Sequence, residues 1–498
     1  MSRYPVLPVD VAPGPPKARL GAVPVALPDA VLGRLRSACP VVDTSDEQRV
    51  EAGRDWWPLS FTWARQGQVP ALPAAVARPT STAEVAAVVA VCGEASVPVT
   101  AAAGRSGVGG GSIPKLGGVA LDLRGLDGLV EVNDLDLVAT ARAGMNGLAF
   151  EESLRADGFT SGHWPQSIAL SSVGGWAACR GAGQYSTRYG KAEDMVVGLE
   201  VVLADGSVIR TGGRGPREAC GPDLTQLFVG SEGTLGIITE VSMRIHPVAP
   251  AERRAAWSFP SFSDGLHACR RILRRGATPA VLRLYDERES KDHGGDGHRS
   301  VLLVLDEGEP TLIDGTMAIV GEECDGDDVG VLDGEALLDR WLLRRNDVSA
   351  LGHAIDAGLV VDTCEIAGRW SALPAIHADA CAAAGAAGAF VVSAHQSHAY
   401  PDGACLYFTF AGAPGGGLDG GDVFYAAAWG AIVGASLAHG GTLSHHHGVG
   451  LNRARYLPAA LGPAFGVLAA VKVALDPAGI LNPGGLGLPS PLGSVSWP

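Results

Sequence analysis

The sequence is poor in charged and aromatic residues. Only 18% of its 498 residues are Asp, Glu, Lys or Arg and 6% are Phe, Trp or Tyr, while 47% are hydrophobic and 69 are glycine. Acidic residues outnumber basic ones, which gives a formal net charge of -15. Because nucleic-acid binding needs a basic surface, this balance argues against DNA or RNA as a partner. The composition is typical of a globular, glycine-rich protein of roughly two to four domains.

Paired cysteine motifs are also missing. The nine cysteines are odd in number, are scattered from Cys39 to Cys405, and never form a C-x-x-C pair. This usage indicates reduced thiols and predicts a cytoplasmic protein. No secretory signal stands before Pro5, and the proline-rich residues 1–28 predict an extended lead-in.

The second half of the chain lacks a hydrophobic run long enough to cross a bilayer. Its most membrane-like run, from Val423 to Ala438, falls short of the ~20 residues that a spanning helix needs. We therefore predict a buried helix there. Docking of this helix onto a lipid surface is the alternative, so peripheral membrane contact stays open.

Turn signals and hydrophobic periodicity divide the chain into four segments. We predict an extended and helical region over 1–71, a domain rich in glycine loops over 72–248, an α+β domain with an antiparallel sheet over 249–440, and a C-terminal segment over 441–498. Ser81 with Glu84 close behind predicts the capped start of a helix that ends at Glu94.

Three glycine-rich loops lie at residues 104–111, 171–183 and 230–236. Glycine leaves backbone amides uncovered, and such loops recur at pyrophosphate sites. The spacing does not fit a P-loop, because Ala192 follows Gly190-Lys191, and the first loop does not have the glycine order of a Rossmann fingerprint. The loops predict a phosphate-bearing ligand. The alternative is three tight loops of a glycine-rich chain.

Three consecutive histidines, His445, His446 and His447, stand between glycines. In an extended segment successive side chains point to opposite faces, so we expect His445 and His447 to enter one cavity while His446 points away. The flanking glycines predict a loop. A polar surface loop and a metal site built from the His-x-His pair are the alternatives.

Motifs in the second segment resemble a known flavin domain. They are Pro165-Gln166-Ser167, Ser171-Ser172-Val173-Gly174-Gly175-Trp176 and Gly230-Ser231-Glu232-Gly233-Thr234-Leu235-Gly236. Over residues 72–247 the sequence resembles the vanillyl-alcohol oxidase / p-cresol methylhydroxylase superfamily. The resemblance implies an α+β protein in which FAD lies between two subdomains, beside an α+β cap domain with an antiparallel sheet, and to which the C-terminal segment returns.

The resemblance also implies how FAD is held. Arg105 stands where family members with covalent flavin often carry histidine, so noncovalent FAD is implied. The residues implied to bind it are Gly104, Arg105, Ser106, Gly107, Pro165, Ser167, Ser171, Ser172, Gly174, Gly175, Trp176, Cys179, Glu232, Gly233, Thr234, Gly236 and Ile238.

The second half resembles the alkyldihydroxyacetonephosphate synthases. The matching motifs are Cys405-Leu406-Tyr407-Phe408, Ser444-His445-His446-His447-Gly448-Val449-Gly450 and Ile480-Leu481-Asn482-Pro483. The resemblance implies exchange of the acyl group of acyl-dihydroxyacetone phosphate for a long-chain alcohol, in ether-lipid synthesis. It implies Tyr407, His445, His446 and His447 as catalytic residues, Arg283 as a substrate-binding residue near the phosphate, and a homodimer.

Tyr407 is the implied acid or base of the reaction. Its phenol, with a free pKa near ~10, has to be tuned by neighbouring cations to act as a base at neutral pH. Sibling 2-hydroxyacid dehydrogenases usually carry a metal-bound histidine at the position of Tyr407 and a glutamate at that of His446. Their replacement here implies that no metal is bound.

Two departures from the synthases concern the substrate. An arginine that the family places just before Asp356 is missing from residues 349–358, and Arg344 and Arg345 are the nearest candidates. Leu451 replaces an expected lysine. An FAD-linked oxidase or dehydrogenase of an alcohol or 2-hydroxy acid, and a non-catalytic flavin- or lipid-binding protein, are therefore the competing hypotheses.

Overall fold

A computed structural model of the chain describes residues 7–347, 349–495 and 497, so residues 1–6 of the predicted lead-in lie outside the described part. The lead-in is largely extended, and its strand Lys17–Ala18 pairs in parallel with Gln68–Val69. Helices then alternate with short connections up to residue 64, at Asp29–Ala38, Asp46–Ala52 and Pro58–Ala64.

The first half of the chain builds two sheets. A four-stranded, mostly parallel sheet has the spatial order Val42–Asp43, Ala75–Ala77, Val119–Asp122 and Val99–Ala102. A five-stranded antiparallel sheet has the order Val208–Gly212, Val196–Val202, Ile237–Arg244, Val138–Arg142 and Leu129–Asn133. A small antiparallel pair joins Phe159–Thr160 to His246–Pro247.

Helices cover these sheets with their apolar faces. The helix Thr82–Glu94 begins as the sequence predicts, because Ser81 Oγ accepts a hydrogen bond from the backbone N–H of Glu84 at 3.3 Å. Its valines pack against the four-stranded sheet and the helix Asp29–Ala38 in one buried cluster. The other helices of this half are Gly147–Ala156, Val173–Cys179, Ser186–Tyr189, Ala192–Met195 and Leu224–Phe228, with a 3-10 turn at Leu123–Gly125.

The second half contains a seven-stranded sheet, and each of its pairings is antiparallel. The spatial order is Gly330–Leu332, Ala251–Phe259, Ser300–Gly308, Val281–Tyr285, Val391–Tyr400, Gly403–Gly412 and Val360–Arg369. Its helices are Phe262–Arg274, Glu287–Ser290, Pro310–Glu323, Gly334–Arg344, Ser349–Asp356, Leu373–Ala386 and Gly417–Ala438, with a 3-10 turn at Lys291–His293. The predicted α+β class with an antiparallel cap sheet is confirmed.

The long apolar helix differs from its prediction. It runs over Gly417–Ala438, so it has 22 residues and begins before Val423. By length and composition it could cross a membrane, but half of its most apolar window is buried inside the protein. At its start the buried Asp422 accepts hydrogen bonds from Trp63 Nε1 at 2.7 Å and from Arg19 Nη2 at 2.5 Å. These contacts are those of a core helix.

The C-terminal segment packs back onto the first half. After the helices Gly450–Ala454, Leu457–Leu461 and Ala464–Leu475, residues 480–482 lie beside the four-stranded sheet, and a 3-10 turn follows at Gly485–Gly487. Val99 N–H donates to Ile480 O at 2.8 Å, and Asn482 N–H donates to Val99 O at 2.8 Å. The chain therefore completes the first half with residues that come last.

A buried ammonium group fixes this return. Lys472 Nζ donates to Thr234 O at 2.8 Å and to Leu481 O at 2.7 Å, and it forms an ion pair with Asp476. The Lys472 and Asp476 side chains are 7% and 0% exposed. Both charges are thus matched within the protein.

Replacing Lys472 with methionine is expected to lower the stability by about 3 kcal/mol, because the Asp476 carboxylate loses its buried counter-ion. The midpoint of thermal unfolding, followed by circular dichroism, measures the loss. Arg369→Met is the matched control, since Arg369 and Asp402 pair where their side chains are 71% and 69% exposed. Such a surface pair contributes about 0–1 kcal/mol. Equal small shifts in both variants would contradict the role of Lys472.

Candidate functional site

A cavity of about 830 Å³ lies between the glycine loops of the first half and the seven-stranded sheet of the second. All three glycine-rich loops line it, together with side chains from the strands Val281–Tyr285, Val360–Arg369, Val391–Tyr400 and Gly403–Gly412. Residues 444–450, which carry the three consecutive histidines and are called the histidine loop below, also reach the cavity. The cavity therefore joins the two sets of motifs that the sequence singles out.

Most of the predicted site residues line this cavity, although two do not. Thr234 is fully buried outside the wall, where its hydroxyl donates to Ser231 O at 2.6 Å. His445 also lies outside the wall. The predicted residues that do line it are Gly104, Arg105, Ser106, Gly107, Pro165, Ser167, Ser171, Ser172, Gly174, Gly175, Trp176, Cys179, Glu232, Gly233, Gly236, Ile238, Arg283, Tyr407, His446 and His447.

The second glycine loop is held by local hydrogen bonds and by close packing. Ser172 Oγ caps the helix Val173–Cys179 by accepting from Gly175 N–H at 3.2 Å, and Trp176 Nε1 donates to Ser171 Oγ at 2.7 Å. A Cβ on Gly174 would lie 2.5 Å from Ala143 Cβ, so only glycine fits there. Gly174 therefore lets the start of this helix pack directly against residue 143.

Two non-glycine residues of the cavity wall have left-handed backbone. They are Arg105, with φ +50°, and Glu232, with φ +49°. Such conformations cost free energy and persist where surrounding structure determines them, often at ligand sites. They lie in the first and third glycine loops.

His163 is a wall residue that the sequence analysis did not single out. Its ring is fully buried, lies 4.5 Å from the Trp176 ring between centroids, and has no hydrogen-bond partner on either nitrogen among the described residues. Burial lowers the pKa of His163 to about 3, so the ring is neutral at neutral pH. His163 could have been suspected from the sequence, because Gly162-His163-Trp164 directly precedes the flavin motif that begins at Pro165.

The histidine loop is held on the second-half side by Glu365, which is fully buried on the strand Val360–Arg369. Its carboxylate accepts from Ser444 Oγ at 2.8 Å, from the backbone N–H of His445, and from that of His447 at 2.9 Å. Arg453 Nη2 donates to it at 3.0 Å. Burial alone would raise the pKa of Glu365, but Arg453 and the backbone N–H group of His445 hold it below its ordinary value.

Glu232 holds the other end of the same loop. Its carboxylate accepts from the backbone N–H groups of Val449 and Gly450. Gly448 has φ +75°, and a Cβ there would lie 2.4 Å from Glu232 Oε1. Burial raises the pKa of Glu232, against the effect of these backbone donors. Glu232 thus lines the cavity while its carboxylate holds the loop.

The expected alternation of the three histidines is wrong. His446 and His447 line the cavity, whereas His445 turns away and its Nε2 lies 3.0 Å from Tyr400 Oη. The period of two applies to extended strands, but the backbone bends at all three histidines because Glu365 binds the N–H groups of His445 and His447. The three consecutive histidines in the sequence predict neither this bend nor the contacts between their rings.

Burial keeps the histidine rings neutral. It lowers the pKa of His445 to about 4 and those of His446 and His447 well below 6.5, with the neighbouring charges adding smaller effects. His445 Nδ1 and His446 Nδ1 lie 2.9 Å apart, a distance at which one ring donates to the other. His447 Nδ1 lies 3.5 Å from Glu365 Oε1.

Tyr407 lies on the strand Gly403–Gly412 among aromatic rings. Its ring is nearly parallel to those of His395, at 4.9 Å, and His446, at 6.0 Å, and nearly perpendicular to that of His447, at 5.5 Å. Thr363 Oγ1 donates to Tyr407 Oη at 2.9 Å, which leaves the phenolic proton for another acceptor.

Tyr407 does not meet the condition for a base, which is a pKa lowered by neighbouring cations. Burial raises the pKa above its ordinary value of 10, and the hydrogen bond from Thr363 only opposes that change. The neighbouring imidazoles are neutral and supply no charge. Tyr407 is therefore protonated at neutral pH, the form of an acid or hydrogen-bond donor.

Arginines supply positive charge to the wall. Arg283, Arg344 and Arg345 all line the cavity. The Arg345 guanidinium lies about 5 Å from the rings of Trp164, Tyr185 and Trp341, and its Nη1 is buried with no hydrogen-bond partner among the described residues. A guanidinium stays charged in proteins, so these residues can bind an anionic group.

Metal-ligating groups also meet at the histidine loop. His398, His445 and His446 bring three possible ligand atoms within 4.8 Å of one another, as do Glu365, Cys405 and His446. The sequence predicted no metal, and His398 was not among the predicted site residues. Hydrogen bonds already engage part of this set, since His398 Nδ1 lies 2.8 Å from Ser186 Oγ.

The wall of the first half fits a flavin dinucleotide. Its loops expose backbone amides, and buried side-chain nitrogens of His163 and Arg105 have no partner among the described residues. The volume of about 830 Å³ also lies within the range of roughly 300–1,000 Å³ that ligand pockets span. Backbone N–H groups stabilise the negative charge of a pyrophosphate that lies next to them.

Family models match both halves of the chain. The FAD binding domain matches residues 73–212, and the C-terminal domain of FAD linked oxidases matches residues 249–486. The chain is 30% identical over 447 residues to the uncharacterized FAD-linked oxidoreductase YgcU of Escherichia coli (strain K12), covering 83% of this chain and 88% of the relative. It is 29% identical over 487 residues to an alkyldihydroxyacetonephosphate synthase of Trypanosoma brucei brucei, covering 88% and 76%.

Solved structures show the same fold. An alkyldihydroxyacetonephosphate synthase superposes with a TM-score of 0.77 at 23% identity, covering 93% of this chain and 87% of that one. p-Cresol methylhydroxylase superposes with a TM-score of 0.75 at 18% identity, covering 94% and 99%. The chain belongs to the FAD-linked oxidase superfamily: it is an FAD-dependent enzyme with a p-cresol methylhydroxylase-type FAD-binding domain and an FAD-oxidase C-terminal domain.

Proposed function

We propose that this enzyme is a transferase of the alkyldihydroxyacetonephosphate synthase type, which exchanges the acyl group of acyl-dihydroxyacetone phosphate for a long-chain alcohol. The observation that carries the proposal is the placement of a protonated Tyr407 beside the neutral rings of His446 and His447 at the cavity wall. FAD, bound noncovalently, supplies the electron-accepting centre of the reaction. The relative from Trypanosoma brucei brucei supports the same activity.

His447 is the base in this proposal. The ring is neutral, so it can accept the proton from the carbon that carries the acyl ester. Its Nδ1 faces the carboxylate of Glu365 at 3.5 Å, which stabilises the imidazolium formed when Nε2 takes up the proton. When the alcohol enters, the imidazolium returns its proton to the reacting carbon, and the neutral ring then takes up the proton of the alcohol and releases it to solvent with the fatty-acid carboxylate.

Tyr407 is the acidic group, and it acts as a hydrogen-bond donor. Its hydroxyl accepts from Thr363 and donates a hydrogen bond to the ester oxygen with which the fatty acid leaves as a carboxylate. The raised pKa keeps this proton in place at neutral pH. Arg283, Arg344 and Arg345 bind the phosphate group, in place of the arginine that residues 349–358 lack.

A second candidate function is oxidation of an alcohol or a 2-hydroxy acid. The 30% identity to an FAD-linked oxidoreductase favours it, as does the group His398, His445 and His446, which could hold a metal. His447 would then remove the proton of the substrate hydroxyl, and the arginines would bind a carboxylate.

Anaerobic incubation of the purified flavoprotein with acyl-dihydroxyacetone phosphate and a long-chain alcohol separates these functions. The transferase releases fatty acid and forms the alkyl ether, with no net reduction of the flavin. Mass spectrometry of the lipid products and flavin absorbance are recorded together. Stoichiometric bleaching by a 2-hydroxy acid, without fatty-acid release from the ester, would establish the second function and reject the first.

Replacing Tyr407 with phenylalanine is expected to lower kcat by about 100-fold or more, the usual contribution of a positioned acid. The flavin absorbance spectrum should not change, because the ring and its stacking remain. Tyr456→Phe is the matched control, since Tyr456 does not line the cavity. A Tyr407→Phe enzyme that keeps most of its turnover would remove Tyr407 from the mechanism.

The pH profile of kcat/KM is expected to be flat through neutral pH. A base is lost as the pH falls through its pKa, and burial has lowered that of His447 well below 6.5. An acid is lost as the pH rises through its pKa, and burial has raised that of Tyr407 above 10. Initial rates from about pH 6 to 9 measure the plateau. An acidic limb centred near pH 7 would contradict the assignment of His447.

A further inference from the structure

Three side chains of the second half form a continuous hydrogen-bonded chain along the cavity wall. Glu289 Oε1 lies 2.8 Å from His395 Nδ1, and His395 Nε2 lies 2.7 Å from Arg283 Nη2. They come from a short helix, Glu287–Ser290, and two paired strands, and all three line the cavity. Of these three residues, only Arg283 has a role in the proposed function.

The chemistry of the three groups fixes where each proton lies. A guanidinium can only donate, so His395 Nε2 must be the acceptor of the bond from Arg283. The proton of the neutral ring is then on Nδ1, from which it is donated to the Glu289 carboxylate. Burial and the nearby Arg283 lower the pKa of His395, in agreement with a neutral ring. Glu289 therefore selects the tautomer that can accept from Arg283.

The guanidinium is also held at a second point. Arg283 Nε donates to Tyr285 Oη at 2.7 Å, and the Tyr285 ring stacks on His293 with centroids 3.8 Å apart. These two bonds engage Nε and Nη2 and do not use Nη1. A free arginine loses side-chain entropy when it binds a ligand, and this one has largely lost it beforehand.

We propose that Glu289 and His395 are positioning residues that orient Arg283 toward an oxyanion of the substrate. The inference rests on the proposed function for the identity of that oxyanion, a phosphate; under the second candidate function it is a carboxylate. The His395 ring also stacks on Tyr407 at 4.9 Å, so the same residue links the bound anion to the acid.

Binding of two probes to the FAD-loaded enzyme tests this role apart from the transferase reaction, for which neither probe is a substrate. Dihydroxyacetone phosphate and lactate are titrated while the flavin absorbance is recorded. Wild-type enzyme is expected to bind the phosphate probe, and Glu289→Ala to bind it about 10-fold or more weakly, because a hydrogen bond to a charged group is lost. Glu289→Gln can still accept from His395 Nδ1 and should lose less.

Asp379→Asn is the matched control. Asp379 and His439 form a carboxylate–histidine pair at 2.7 Å on the surface, and neither lines the cavity. This variant should bind the probe like wild type. If Glu289 has a purely structural role, the Glu289→Ala enzyme will lose FAD and melt at a lower temperature. If Glu289 positions Arg283, the same variant will bind the probe more weakly, and its KM will rise more than its kcat falls.

His395→Gln decides the question if Glu289→Ala does not retain FAD. Its amide oxygen can accept from Arg283 but no longer connects to Glu289, so weaker binding of the probe is again expected. Wild-type binding in both His395→Gln and Glu289→Gln, or binding of neither probe by wild type, would overturn the proposal. Absence of fatty-acid release together with weakened probe binding would instead reject only the proposed transferase activity, and tighter binding of lactate would assign the oxyanion as a carboxylate.

Discussion

Two buried carboxylates from different halves of the chain determine where the histidine loop lies. Glu365 binds the backbone at His445 and His447, and Glu232 binds it at Val449 and Gly450. A carboxylate that is buried without partners costs several kcal/mol, so each half requires the loop as much as the loop requires it. Arg453, fully buried against Glu365, supplies the counter-charge. The relative placement of the flavin-binding wall and the substrate wall depends on this arrangement.

Burial shifts the pKa values of the histidines and of Tyr407 in opposite directions, and it leaves both kinds of group uncharged. It keeps the imidazoles neutral and the Tyr407 phenol protonated, because both charged forms would lose hydration. The arginines remain charged, since the guanidinium does not deprotonate in proteins. The wall therefore combines uncharged groups that can exchange protons with fixed positive charges that attract an anion. This division suits a substrate whose reacting carbon lies near a permanent negative charge.

The sequence was sufficient for the fold, for the cofactor and for part of the cavity wall. Glycine loops and motif spacing are local properties, and they identified residues such as Gly104 and Ser172 that line the cavity. The start of the long helix at Gly417 was missed because its first turns are rich in glycine. Local patterns could not supply pairs such as Glu365 with Arg453, which are 88 residues apart. The direction of the Tyr407 pKa shift was missed for a similar reason, because burial is set by the whole fold.

The pairing of Val99 with Ile480 and Asn482 also has a consequence for biosynthesis. The N-terminal part of a chain leaves the ribosome first, and domains generally fold as they emerge. The first sheet and its glycine loops are synthesised early, yet Lys472 and residues 480–482 complete their surroundings only after the seven-stranded sheet has been made. The strand Val99–Ala102 therefore keeps one unpaired edge until Ile480 is made, about 380 residues later. The cavity is likewise complete only after His446, His447 and Gly450, which line it, have been made.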